Sequence, residues 1–76
     1  MNPDFYFKEF DFFDGESFIT FTIIDVNFEK QTILVVVSNR GKVSHIEYDI
    51  HEESDDNWYF TYGYEFTKIY LNDFKD

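Results

Sequence analysis

Phe10-Asp11-Phe12-Phe13-Asp14-Gly15-Glu16-Ser17-Phe18-Ile19-Thr20-Phe21 places an Asp-Gly pair between two segments rich in rings and β-branched residues. Gly reaches positive φ at no steric cost, so Asp-Gly at such a junction signals a hairpin. Residues 5–13 carry no helical repeat, and residues 17–28 are rich in Phe, Ile and Thr. A two-residue turn at Asp14-Gly15 makes pairing partners sum to 29. Phe10, Phe12, Ile19, Phe21 and Ile23 then share one face with Tyr6 and Lys8. Glu9, Asp11, Thr20 and Thr22 share the other with Phe5, Phe7 and Phe18. One face is apolar and the other mixed, which supports this pairing, because a one-residue slip would exchange them.

Outward from this hairpin the chain continues to read as strands. Glu29-Lys30-Gln31 is a polar break. Residues 32–38 are apolar on both faces, as in a central strand covered on two sides. Asn39-Arg40-Gly41 reads as the next hairpin, with Gly41 in the left-handed position. Strand four runs over about residues 42–51, with Ile46, Tyr48 and Ile50 on one side and His45, Glu47, Asp49 and His51 on the other. Residues 52–57 read as an acidic loop, and residues 58–64 as a fifth strand. Phe66, Ile69, Tyr70 and Phe74 fall at helical spacing, which favours a short C-terminal helix, although residues 67–71 suit a strand equally. The expectation is a mainly β fold: one small antiparallel sheet of about five strands, as a meander or partly open barrel, with the C-terminal segment covering one face. Phe10, Phe21, Ile23, Leu34, Val36, Ile46, Tyr48 and Phe60 are the expected core.

Seventy-six residues make one domain and leave no room for a second core. Eleven Phe, six Tyr and one Trp supply large buried areas to a chain this short. The absence of Cys rules out a disulfide framework and fits a reducing compartment. Residues 1–4 have no basic n-region and begin no long apolar run, so no secretory signal is expected. The aliphatic run at residues 33–37 is far too short to span a bilayer as a helix. A cytoplasmic, soluble protein is the expectation.

Sixteen acids against six bases give a net charge of −10. Such a surface repels nucleic acid and anionic membrane and attracts basic partners. The charge is uneven. Residues 1–16 hold five acids and one Lys, and residues 51–57 hold four acids and no base. The meander places the first turn and the acidic loop at opposite ends of the sheet, with Glu9, Asp11, Glu47 and Asp49 on strands between them. The acids then form a stripe along the molecule.

Few residues offer chemistry. No Ser lies in a nucleophile turn, and the three glycines, at 15, 41 and 63, form no phosphate loop. His45-x-Glu47-x-Asp49-x-His51 resembles a ligand set. Alternate strand residues are about 6.6–6.8 Å apart, however, which separates the two His by roughly 20 Å. That pattern reads as a solvated strand face. Ca²⁺ at Asp11, Asp14 and Glu16, or at Glu53, Asp55 and Asp56, has suitable oxygen ligands but no EF-hand spacing. No catalytic residue, metal or cofactor is therefore expected. A nucleic-acid platform of stacked rings needs a basic groove, and this chain has the opposite sign.

The expected function is that of a small acidic, non-enzymatic inhibitor or immunity-type protein. It would bind a basic nucleic-acid-binding enzyme, such as a nuclease, by DNA-like charge mimicry. The partner-binding residues are Glu9, Asp11, Asp14, Glu16, Glu47, Asp49, Glu52, Glu53, Asp55 and Asp56. The alternative is an assembly module that homodimerises through an aromatic sheet face, its charge serving solubility. A carbohydrate- or peptide-binding module using exposed Tyr and Trp is a third reading.

Overall fold

The computed structural model describes residues 5–76, so the reading of residues 1–4 lies outside the described residues. The fold is mainly β and antiparallel throughout. It has seven strands in two sheets where the sequence suggested about five in one. The first sheet has the order β1 (Glu9–Phe13), β2 (Phe18–Asn27), β3 (Thr32–Asn39), β4 (Lys42–Asp49). The second has the order β5 (His51–Ser54), β6 (Asn57–Tyr62), β7 (Thr67–Tyr70), followed by a 3-10 turn at Leu71–Asp73.

The first hairpin pairs Phe13 with Phe18, Phe10 with Phe21 and Glu9 with Thr22, so its partners sum to 31. The connection is a longer loop than Asp14-Gly15 alone. Asp14 explains it, because its Oδ1 accepts the backbone N–H groups of Glu16 and Ser17, each at 2.9 Å, and holds the wider turn. A two-residue difference in register leaves every side chain on its expected face. At the second hairpin Asn39 pairs with Lys42 around Arg40 and Gly41, at φ 53° and 81°. Two left-handed residues in a two-residue turn match the twist of the flanking strands.

β2 contains a register shift between Ile23 and Asp25. Ile19, Phe21 and Ile23 alternate inward, and strict alternation would next bury Asp25. The extra residue of the bulge keeps Asp25 exposed and returns Val26 to the core at 1% exposure.

The chain leaves the first sheet at Ile50, which is fully buried and donates its N–H to the Gln31 carbonyl at 2.9 Å. The acidic segment beyond it is not the loop expected at residues 52–57. His51 pairs with Tyr59 and Glu52 with Trp58, which leaves Asp55 and Asp56 as the turn. Acidic side chains stay solvated on an exposed edge strand while the backbone is paired, so charge did not preclude a strand. The helix favoured at the C-terminus is likewise corrected. Thr67–Tyr70 pairs along β6, burying Ile69, and the 3-10 turn then brings in Leu71 and Phe74. Lys75 closes the circuit by exchanging two backbone hydrogen bonds with Glu9, both at 2.8 Å.

The second sheet and this C-terminal turn therefore cover the first sheet's aromatic face. Phe21 meets Phe60 and Tyr62 edge-on at 5.6 and 5.0 Å, and Tyr48 stacks on Phe60 at 4.8 Å. Phe21, Ile23 and Phe60 are fully buried, as expected, and Phe10, Ile46 and Tyr48 pack half-buried against them. Leu34 and Val36 are a correction, since they lie half-buried on the opposite face while Ile33, Val35 and Val37 fill the core. No element among the described residues covers that opposite face, so β3 is central in its sheet but packed on one side.

Candidate functional site: an acid-bordered open sheet face

The ladder registers lay out the open face of the first sheet row by row. Asp11 lies beside Thr20, Ser38 and Val43, and Glu9 beside Thr22, Val36 and His45. Asp25 follows beside Leu34 and Glu47, then Asn27 beside Thr32 and Asp49. The face thus has a centre of Thr20, Thr22, Leu34 and Val36. Exposed acids on β1 and β4 border it, and Asp25 joins them from β2. At one end the exposed rings of Phe13 and Phe18 pair at 5.0 Å.

Four of the expected partner-binding residues, Glu9, Asp11, Glu47 and Asp49, are brought together on this face. Lys75 is the base that the register sets in line with it, directly opposite Glu9. Asp11 accepts a hydrogen bond from Thr20 Oγ1 at 2.8 Å, which leaves its charge exposed. Asp25 was missed in the sequence. Its signal was legible as the break in alternation at Ile23-Ile24-Asp25-Val26.

The remaining expected residues lie elsewhere. Asp14 is occupied in its own turn, where the amides of Ser17 and then Glu16 hold its carboxyl below the usual range. Glu16 accepts from Arg40 Nη2 at 2.6 Å, which ties the β1–β2 and β3–β4 turns together at one end of the molecule. Glu52, Glu53, Asp55 and Asp56 extend from the second sheet at the far end. Glu52 accepts the N–H of Asp56 at 3.0 Å, and these two residues border an open cleft of about 460 Å³ with Phe5, Phe28 and Trp58. Trp58 packs on Phe28 at 5.3 Å, so this ring serves the fold.

Glu53 is the clearest departure from expectation. No base lies between Val43 and Lys68 in sequence, yet β7 brings Lys68 Nζ to 2.7 Å from Glu53 Oε1. Tyr70 Oη donates to the same carboxylate, 2.9 Å from its nearer oxygen. Lys68 first, then Tyr70, holds the Glu53 carboxyl below its ordinary range, and Glu53 raises the Lys68 ammonium in turn. Lys68 also sits 4.8 Å from the centre of the Tyr59 ring. Glu53 is therefore engaged within the fold.

The His45-x-Glu47-x-Asp49-x-His51 set is divided by the bend at Ile50. His51 falls in the second sheet, beside the Tyr59 ring at 5.5 Å. Among the described residues no three His, Asp or Glu side chains are grouped to hold a metal ion. No helix among them is long and apolar enough to cross a membrane.

Compared with known proteins, the chain matches no family, no curated protein and no solved structure.

Proposed function

We propose that this is a small non-enzymatic protein of the cytoplasm that binds a basic, nucleic-acid-binding enzyme and blocks its nucleic-acid site. The observation that carries this reading is the open face on which Glu9, Asp11, Asp25, Glu47 and Asp49 surround a small, uncharged centre. Protein interfaces combine an apolar, desolvated centre with a polar rim, and complementary charge steers association. A face of this kind suits a protein surface better than a solvated one.

The density of charge refines the mimicry. The chain's net −10, less the acid Asp4, spreads over a long axis of 33 Å, or one net charge per about 3.7 Å. Duplex DNA carries one charge per about 1.7 Å over both strands, and each strand one per about 3.4 Å. The protein approaches the density of a single strand. It competes for a basic groove by sign and placement, without copying a duplex charge for charge.

The homodimer alternative drew on an aromatic face in need of cover. The second sheet of the same chain supplies that cover, so the remaining support for a dimer is the exposed Phe13–Phe18 pair. A monomeric solution mass at working concentration would dispose of the alternative.

The test compares the parent with a Glu9→Gln, Asp11→Asn, Glu47→Gln, Asp49→Asn variant. Inhibition of DNA cleavage and association rates are measured on a panel of basic nucleases over a range of salt concentrations. The expected result is unchanged folding, at least a tenfold loss of affinity for the inhibited enzyme, and a shallower salt dependence. If the variant binds as tightly as the parent with the same salt slope, the face is not the binding surface.

A further inference from the structure

The face that carries the acids ends in a strand with an open side. β3 and β4 meet in a two-residue turn closed by Asn39 and Lys42, and hydrogen-bonded pairs alternate with non-bonded pairs along an antiparallel ladder. Lys42, Ser44, Ile46 and Tyr48 therefore bond to β3. The bond from Ile50 N–H to the Gln31 carbonyl continues this phase past the strand's end. Val43, His45, Glu47 and Asp49 turn their N–H and C=O groups the other way. Among the described residues these groups meet no backbone partner. The opposite margin of the sheet differs, because Glu9 of β1 is engaged by Lys75.

Four outward donor–acceptor pairs in a row form a template for another strand. The charge on that row selects its occupant. Glu47 and Asp49 belong to it, and the chain holds no base from Val43 to Lys68. A strand added there places alternate side chains beside Glu47 and Asp49 on the open face, where opposite charges attract and like charges repel. A second copy of this chain would bring a further net −10 to the same edge.

We propose that β4 takes up an extended, Lys- or Arg-bearing segment of the partner as a fifth strand. Backbone bonds to Val43, His45, Glu47 and Asp49 would hold it, and bases at alternate positions would face Glu47 and Asp49. This rests on the reading of the open face as a partner surface and adds the mode of binding to it.

The probe is a synthetic ten-residue peptide of alternating Lys and Val with Thr ends. A control peptide has the same sequence with its Lys amides N-methylated, which preserves charge and removes donors. Binding is measured by titration, and amide exchange is followed residue by residue on the whole protein. The expected result has three parts. The unmodified peptide slows exchange at Val43, His45, Glu47 and Asp49 by at least tenfold. The methylated peptide binds at least tenfold more weakly. Glu47→Gln with Asp49→Asn weakens binding and flattens its salt dependence. His45→Pro removes one outward N–H without touching the β3 ladder and should weaken the unmodified peptide alone. The peptide pair decides the matter even if this variant fails to fold.

Equal binding of both peptides without protection of the four amides would overturn strand addition and leave the acidic face standing as a charged surface. Binding of neither peptide at low salt would overturn both readings. Concentration-dependent protection of the same amides in the protein alone, with a doubled solution mass, would assign the edge to a second copy and overturn the occupant proposed.

Discussion

Gly41 shows how much one residue can specify. Its φ of 81° lies in the left-handed region, and an added Cβ would meet no atom within 4 Å. The cost of Gly41→Val is therefore conformational and not steric crowding by neighbours. A β-branched residue in this region should cost about 1–3 kcal/mol, and Gly41→Asn should cost less because Asn tolerates left-handed backbone. Urea denaturation of the two variants checks both the loss and its order. The same turn contained a signal for the core that composition alone obscured. A two-residue turn at Arg40-Gly41 sets Val35 opposite Ile46 and Ile33 opposite Tyr48. Because Ile46 and Tyr48 point inward, Ile33 and Val35 must do so too. The run at residues 33–37 is apolar throughout, so its own pattern cannot distinguish its faces, and Leu34 and Val36 were misassigned.

At the scale of the element, the first four strands were legible because each carried alternation or a Gly-bearing turn. The division into two sheets was not. Nothing local to Ile50 distinguishes a strand that continues from one that bends into a new sheet, since both bury an Ile in phase with Ile46 and Tyr48. β7 was obscured by Phe66, Ile69, Tyr70 and Phe74, whose helical spacing arises from a strand followed by a 3-10 turn. Of the candidate site, the four acids on β1 and β4 were legible from alternation. The engagement of Glu53 was not, because Lys68 lies on a strand two places away in the sheet. That pairing has a consequence for pH. Glu53 is held below its ordinary range by Lys68 and then Tyr70, so its contribution to stability is present above the unfolded-state carboxyl range and is lost as pH falls through the folded one. Lys68, raised by Glu53, contributes below its unfolded-state range, and that contribution is lost as pH rises through its folded one. Glu53→Gln should flatten the acid limb of a plot of stability against pH, which thermal melts over the carboxylate range would measure.

For the whole molecule, the excess of acid outweighs its pairing. The described residues contain two ion pairs, Glu16–Arg40 and Glu53–Lys68, both exposed, within a chain of net charge −10. Salt weakens such pairs, but it also screens repulsion among the remaining acids over a Debye length of about 8 Å at physiological ionic strength. The repulsive contacts are the more numerous, so added NaCl should raise the melting temperature. A melting temperature that falls with salt would mean that the two ion pairs dominate. The same addition should weaken association with a basic partner, so folding and binding respond to salt in opposite directions.

The exchange of hydrogen bonds between Glu9 and Lys75 also bears on how the chain folds. Every other strand pairing joins neighbours in sequence, which gives the molecule a low contact order for a β protein and allows each hairpin to form early. Joining residue 9 to residue 75 closes nearly the whole chain into a loop, and the entropy of that closure is lost before its two bonds are gained. The latch should therefore form after the rate-limiting step. Interactions made that late govern the rate of unfolding and leave the rate of folding nearly unchanged. Removal of residues 75 and 76 should steepen escape from the native state while refolding proceeds at the parent's pace. Stopped-flow chevrons of the two chains would show the difference on one arm alone.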